Sequence, residues 1–170
     1  MISPKVPWLV LAGITAGFIG VVIATADSLP LHVATHFDVR GGANGWMGRS
    51  AYIGLVSGLG FGESLLVALL AYCTRYLPNS TLKSAARGDE RSLSASERGA
   101  TNRFIAEFGA WLACVGCLFA LGLHLVILAA NRVDPPAMPG LEFALFLCAF
   151  FALLGVWIFA LIRRLRRGAV

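Results

Sequence analysis

Phe104 to Ala130 reads FIAEFGAWLACVGCLFALGLHLVILAA, and this stretch decides the fold. Cysteines aside, its only ionisable side chains are Glu107, near the start, and His124. An α-helix rises about 1.5 Å per residue, so roughly 20 such residues cross a ~30 Å hydrocarbon core. Three further runs have the same character: Trp8 to Ala26, Ala51 to Leu77 and Leu141 to Ile162. Ala51–Leu77 and Phe104–Ala130 exceed the minimum and are expected to tilt or to project beyond the bilayer. The fold class that follows is an all-α membrane protein. One domain over 1–170 forms a bundle of four transmembrane helices, at about 8–26, 51–77, 95–130 and 141–162.

Composition agrees. Of 170 residues, 58% are hydrophobic and only 14% charged, whereas the surface of a soluble domain needs far more charge. The net charge of +5 does not point to nucleic acid, because the basic residues flank apolar segments. They read as topology signals and as contacts to anionic lipid headgroups. Lys5 precedes the first run; Arg75, Lys83, Arg87, Arg91, Arg98 and Arg103 surround the connection between the second and third; Arg163, Arg164, Arg166 and Arg167 follow the fourth. The other two connections hold only Arg40, Arg49 and Arg132. The positive-inside rule therefore predicts both termini and the 78–94 loop in the cytoplasm, and an ordered extracytoplasmic loop over 27–50. The expected location is the inner (plasma) membrane of the cell, as a multi-pass protein. Ala24-Thr25-Ala26 resembles a signal-peptidase site with Lys5 as its n-region, but the long apolar run and the charge pattern favour a retained helix.

Local signals set the ends. Pro78-Asn79-Ser80 and Gly88-Asp89-Glu90 interrupt the cytoplasmic loop, and Ser94 with Glu97 has capping-box spacing, so the third helix is expected from Ala95. Pro135, Pro136 and Pro139 tighten the short connection from Asn131 to Gly140. Gly54, Gly58 and Gly62, like Gly13 and Gly17, recur every fourth residue and predict ridges where helices approach closely. Cys73, Cys114, Cys117 and Cys148 all lie in apolar segments, so they read as packing residues rather than a disulfide framework or a metal site.

The loop from Leu29 to Arg49, LPLHVATHFDVRGGANGWMGR, is the most informative connection. Apolar and polar residues alternate from Val33 to Val39, predicting a short extended piece at the membrane surface. Gly41-Gly42 and Asn44-Gly45 offer positive-φ positions for a tight turn. Trp46 suits the lipid–water interface, and Arg49 would reach lipid phosphate at the same edge. This loop resembles the signature of a widespread family of bacterial membrane domains, L-P-x-x-[IV]-P-x-H-[FW]-x-x-x-G-x-x-D-x-[WY]-x-x-K, also found at the start of SdpI-type proteins. Leu29, Pro30, Val33, His36, Phe37, Gly41 and Trp46 stand at matching positions. Ala34, Asn44 and Arg49 replace the second proline, the aspartate and the lysine, and Asn44 lacks the carboxylate of the family residue. The resemblance implies a non-enzymatic role in binding, toxin immunity or membrane signalling, with His36, Phe37, Asp38, Asn44, Trp46 and Arg49 as the recognition surface.

Polar residues within the runs carry two readings each. His36 is either a ligand presented outward or a fold-holding residue whose ring bonds the glycine turn. His32 would join it in chelating a metal only if the segment were helical, since on a strand the pair stands roughly 13 Å apart. Glu63 and His124 fall within ~10 Å in depth when counted along their helices. They form either a proton or cation site or a buried hydrogen bond pinning two helices. Glu107 is expected to pair with Arg103, and the Arg163–Arg167 cluster to act as a stop-transfer signal. No nucleophile–base pair, P-loop or zincin motif is present, so an enzyme is not expected, nor is a cofactor. The expected partners are lipids, a peptide or protein, or a second copy of the chain. Two other readings stay open: an accessory subunit of a larger membrane complex, and a small ion- or proton-coupled transporter using Glu63 and His124.

Overall fold

The computed structural model describes residues 5–73, 76 and 95–166. Among the described residues, four helices are long and apolar enough to cross a membrane: Val6–Ser28, Arg49–Cys73, Arg98–Ala130 and Gly140–Arg164. They coincide with the four apolar runs. In chain order the elements are α1 (Val6–Thr25), a 3-10 turn (Ala26–Ser28), β1 (His32–Phe37), β2 (Ala43–Gly48), α2 (Arg49–Ser57), a π-turn (Gly58–Gly62), α3 (Glu63–Cys73), α4 (Ala95–Ala130) and α5 (Gly140–Arg166). The π-turn joins α2 to α3 within one span. The 78–94 loop with its proline and glycine breaks and the basic residues in it lies outside the described residues, as do Ser94 and the Glu97 side chain of the capping box and Arg167.

α4 is the hub, with α1, α3 and α5 all packed on it. Its sequence shows why. Ala110, Ala113, Cys114, Cys117 and Ala120 are all buried, and their spacing of three and four residues places them on one helix face. Small side chains there let neighbouring backbones come close, which matters because lipid supplies no hydrophobic drive between helices. Cys114 and Cys117 are thus packing residues, as free thiols.

The glycine ridges behave differently from the expectation. A Cβ added at Gly13, Gly17, Gly54, Gly58 or Gly62 would meet nothing within 4 Å. The close approaches are elsewhere: Gly60 lies under the Phe18 ring, Gly116 under the Glu63 carboxylate and Gly122 under the Phe146 ring. The π-turn is the physical reason on the second span. It brings Gly60 against α1, while the Gly54, Gly58 and Gly62 row lies on a face that no neighbouring helix covers.

The main core sits at the hairpin end. Phe18 and Val22 of α1, Leu29, Val33 of β1, Tyr52 and Val56 of α2, and Cys117, Ala120, Ile127 and Leu128 of α4 form one cluster. α5 stays outside it and is held to α4 by aromatic rings. Phe119 meets Phe146 and Phe150 at centroid distances of 5.3 and 4.6 Å. The Trp157 indole donates to the Phe108 carbonyl at 3.0 Å, and the Arg164 guanidinium lies 5.7 Å from the Phe104 ring centre. The rest of α5 exposes Leu141, Leu145, Phe151, Val156 and Phe159, a surface that lipid solvates.

The expected Arg103–Glu107 pair is not formed. Arg103 Nε donates instead to the Gly99 carbonyl at 3.3 Å. Helical side chains lean toward the N-terminus, so an arginine preceding its acid by four residues is poorly aimed.

Candidate functional site

The connection between α1 and α2 is an antiparallel hairpin rather than a single extended piece. Its turn is built by Asp38. The Asp38 Oδ1 accepts from the backbone N–H of Arg40 at 2.8 Å and of Gly42 at 3.0 Å. The Asp38 N–H donates to the Gly42 carbonyl at 2.8 Å. Gly41 has φ +84°, a conformation that side chains disfavour. Asn44-Gly45, expected in the turn, lies within β2 instead. The pairing steps from Ala34↔Trp46 to His36↔Gly45 to Phe37↔Ala43. Thr35 and Asn44 are therefore bulged residues on opposite strands, and their offsets cancel.

Each edge of this hairpin is held at one place. Asn131, one residue past α4, uses its side-chain amide like a third strand. Its Oδ1 accepts from the Ala34 N–H at 2.8 Å, and its Nδ2 donates to the Ala34 carbonyl at 3.0 Å and to the Ile127 carbonyl at 2.8 Å. Ala34 is fully buried, so these groups have no water to turn to. Further along, the Met138 N–H donates to the Gly41 carbonyl at 2.8 Å and the Ala43 N–H to the Pro136 carbonyl at 3.3 Å. The 131–139 connection thus clamps the hairpin at two points.

The clamp decides which residues face outward. His32, His36, Asn44 and Trp46 are exposed, Trp46 by 55%. Phe37 turns inward with Met47 and packs against the main core, so it is not part of the exposed face. Asp38 is occupied by the turn. His36 Nδ1 lies 3.1 Å from the Thr35 hydroxyl, and its ring crosses Gly45, where a Cβ would stand 3.2 Å from the ring. The ring does not bond the glycine turn. The pair His32 and His36 sits on a strand, in the arrangement that separates the two rings. Arg49 ties the start of α2 to the segment leaving α1, through its N–H to the Leu31 carbonyl at 2.9 Å and a 3.5 Å ion pair with Asp27.

Beneath the hairpin lies His124, fully buried. Its partners are Thr25 and Tyr52, not Glu63. Nε2 is 2.7 Å from Thr25 Oγ1, and Nδ1 is 3.0 Å from the Tyr52 hydroxyl. Thr25 donates its own hydrogen to the Val21 carbonyl at 2.7 Å, so its oxygen accepts from Nε2–H. Nδ1 is then the acceptor for Tyr52 O–H. A neutral imidazole fits this arrangement with both nitrogens satisfied. His124 therefore joins α1, α2 and α4 as a hydrogen-bonded pin. Replacing it with phenylalanine should strand the Tyr52 hydroxyl and cost about 1–3 kcal/mol, most of it recovered by adding Tyr52→Phe. Thermal unfolding midpoints of the two variants in detergent check this; an additive loss would contradict it.

Glu63 is reached from Gly116, about 12 Å from His124 along α4 at 1.5 Å per residue. Its carboxylate crosses Gly116, half-buried, and the Cys117 thiol is a common neighbour of Glu63, Ser64 and Thr15. Ser64 Oγ donates to the Gly60 carbonyl at 3.0 Å and lies 3.2 Å from Thr15 Oγ1. The Glu63 group and the His124 pin are thus two separate polar centres. Comparison with known proteins adds no further frame: no family model, no curated protein and no solved structure matches the chain.

Proposed function

We propose that this chain is a small bacterial inner-membrane protein with both termini in the cytoplasm, and that the clamped hairpin is its recognition surface at the outer face. The role is non-enzymatic: the platform binds a membrane-active peptide or a partner protein, as an immunity or signalling protein of the SdpI type would. The observation that carries this reading is the double clamp. A loop needed only to connect two helices would not require a hold on each edge. This one is held by Asn131 and by Pro136–Met138 while His36, Asn44 and Trp46 point away from the bundle. Rigid support lowers the ordering cost of binding, and an exposed indole supplies a large contact area.

Charge supports the orientation. The hairpin end holds Arg40, Arg49 and Arg132, while Lys5, Arg98, Arg103, Arg163 and Arg164 stand at the opposite end. Val39 at the hairpin tip is fully exposed, so Val39→Cys should react with a membrane-impermeant maleimide in intact cells. Reaction only after lysis would reverse the topology.

The role itself is tested by deleting the gene and challenging cells with membrane-active peptides. Loss of the protein should sensitise them. His36→Ala and Trp46→Ala, inserted at normal levels, should restore resistance no better than an empty vector. Full rescue by both variants would remove the hairpin from the function.

A further inference from the structure

The second polar centre has an excess of hydrogen-bond acceptors. The Ser64 hydroxyl hydrogen goes to the Gly60 carbonyl, and Thr15 then gives its hydrogen to Ser64. Both hydroxyl hydrogens are committed inside the cluster, which leaves lone pairs on Thr15 Oγ1, and Cys117 is the neighbour that Thr15, Ser64 and Glu63 share. Cys117 adds only a weak S–H donor. Among the described residues, no lysine, arginine or histidine pairs with Glu63. An intramembrane carboxylate without a cationic neighbour is costly, and such residues mark ion pathways.

The backbone is shaped around this group. The π-turn Gly58–Gly62 ends immediately before Glu63, and wide turns of this kind occur often at functional sites. Gly60, within that turn, supplies the carbonyl that orients Ser64. On the facing helix, Gly116 leaves the space that the carboxylate occupies; any side chain there would collide with it. Three spans contribute: Thr15 from α1, Glu63 and Ser64 from the start of α3, Gly116 and Cys117 from α4.

We propose that Glu63, with the hydroxyl oxygens of Thr15 and Ser64, forms an intramembrane binding site for a small monovalent cation. Hard oxygen donors suit such an ion, and one carboxylate matches its single charge. The site is independent of the hairpin surface and of the His124 pin.

Dicyclohexylcarbodiimide tests it, because this reagent enters bilayers and attacks protonated carboxyl groups there. The full chain, reconstituted in liposomes, is treated in sodium chloride and in choline chloride of equal ionic strength, and the modified residue is located by mass spectrometry. In choline, Glu63 should be labelled, and Glu63→Gln should remain unmodified. Sodium should slow labelling by the factor 1 + [Na+]/Kd, about tenfold near nine times its Kd. Thr15→Val keeps the shape and removes one oxygen, so the sodium concentration giving half-protection should rise by about tenfold. Equal labelling rates in the two salts, or no labelling of Glu63 in either, would overturn the site. An unchanged sodium requirement in Thr15→Val would overturn the part given to the hydroxyls.

Discussion

Asn131→Leu should release the hairpin from the bundle. The amide now satisfies both main-chain groups of Ala34, with distances of 2.8 and 3.0 Å, and reaches back to the Ile127 carbonyl at 2.8 Å. Leucine has the same branched outline and the same number of side-chain heavy atoms, and it can offer none of these bonds. The Ala34 N–H and C=O point away from β2, because Asn131 occupies that edge, so β2 cannot take over. Each buried group left unpaired costs about 1–3 kcal/mol, which is large beside a typical total stability of about 5–15 kcal/mol. The hairpin should respond first, since the helices keep their own hydrogen bonds. Hydrogen exchange of the amides in 32–48 should accelerate by more than tenfold, with little change in the cores of α1 and α4. Asn131→Asp is an informative companion: it can still accept from the Ala34 N–H but sets a carboxylate against two carbonyls, so it should fail as well. Unchanged exchange in both variants would remove Asn131 from the clamp.

Hydropathy made the four spans legible because it reports the solvent of each segment, a property local to the chain. The long-range polar partners were not legible. Thr25 and His124 are 99 positions apart, Tyr52 and His124 72, and Asn131 and Ala34 97. Thr25, Tyr52 and Asn131 each sit at or next to the end of an apolar run, where a hydroxyl or amide looks like an ordinary boundary residue. A usable signal did exist: Thr25, Tyr52, His124 and Asn131 all fall near the same end of their spans, which brings them to one depth. Counting depth correctly would also have separated Glu63 from His124, because Tyr52 already stands level with the histidine and Glu63 follows it three turns later. The second strand was hidden for a different reason. Ala43-Asn44-Gly45-Trp46-Met47-Gly48 has too much glycine for a strand pattern, and its bulge at Asn44 breaks the alternation that marks the first strand. Asp38 shows the reverse error. The resemblance places this exposed acid on the recognition surface, whereas its carboxylate accepts from the Arg40 and Gly42 amides and turns the chain.

Gly60→Val should give the largest loss of packing in the bundle. Gly60 is buried in the π-turn, and even a single Cβ there would overlap the Phe18 ring. Phe18 is itself fully buried among Val22, Tyr52 and Val56, so the ring has no free direction in which to retreat. Overpacking of this kind costs about 1–3 kcal/mol, and the branched side chain of valine belongs at the upper end. At roughly 2–4 °C per kcal/mol for a chain of this size, the unfolding midpoint should fall by about 5–10 °C in mild detergent. The strain has one source, so it should be coupled to the ring. Phe18→Leu alone loses contacts and should destabilise, but in the Gly60→Val background it should restore part of the midpoint. The signature is therefore a non-additive pair, of a size that neighbours sharing one contact show. Gly58→Val is the matched control, since a Cβ there meets nothing within 4 Å, although valine carries the same helix propensity at both positions. A fall in midpoint as large for Gly58→Val as for Gly60→Val would mean that backbone preference in the π-turn, and not the Phe18 contact, holds α1 against the second span.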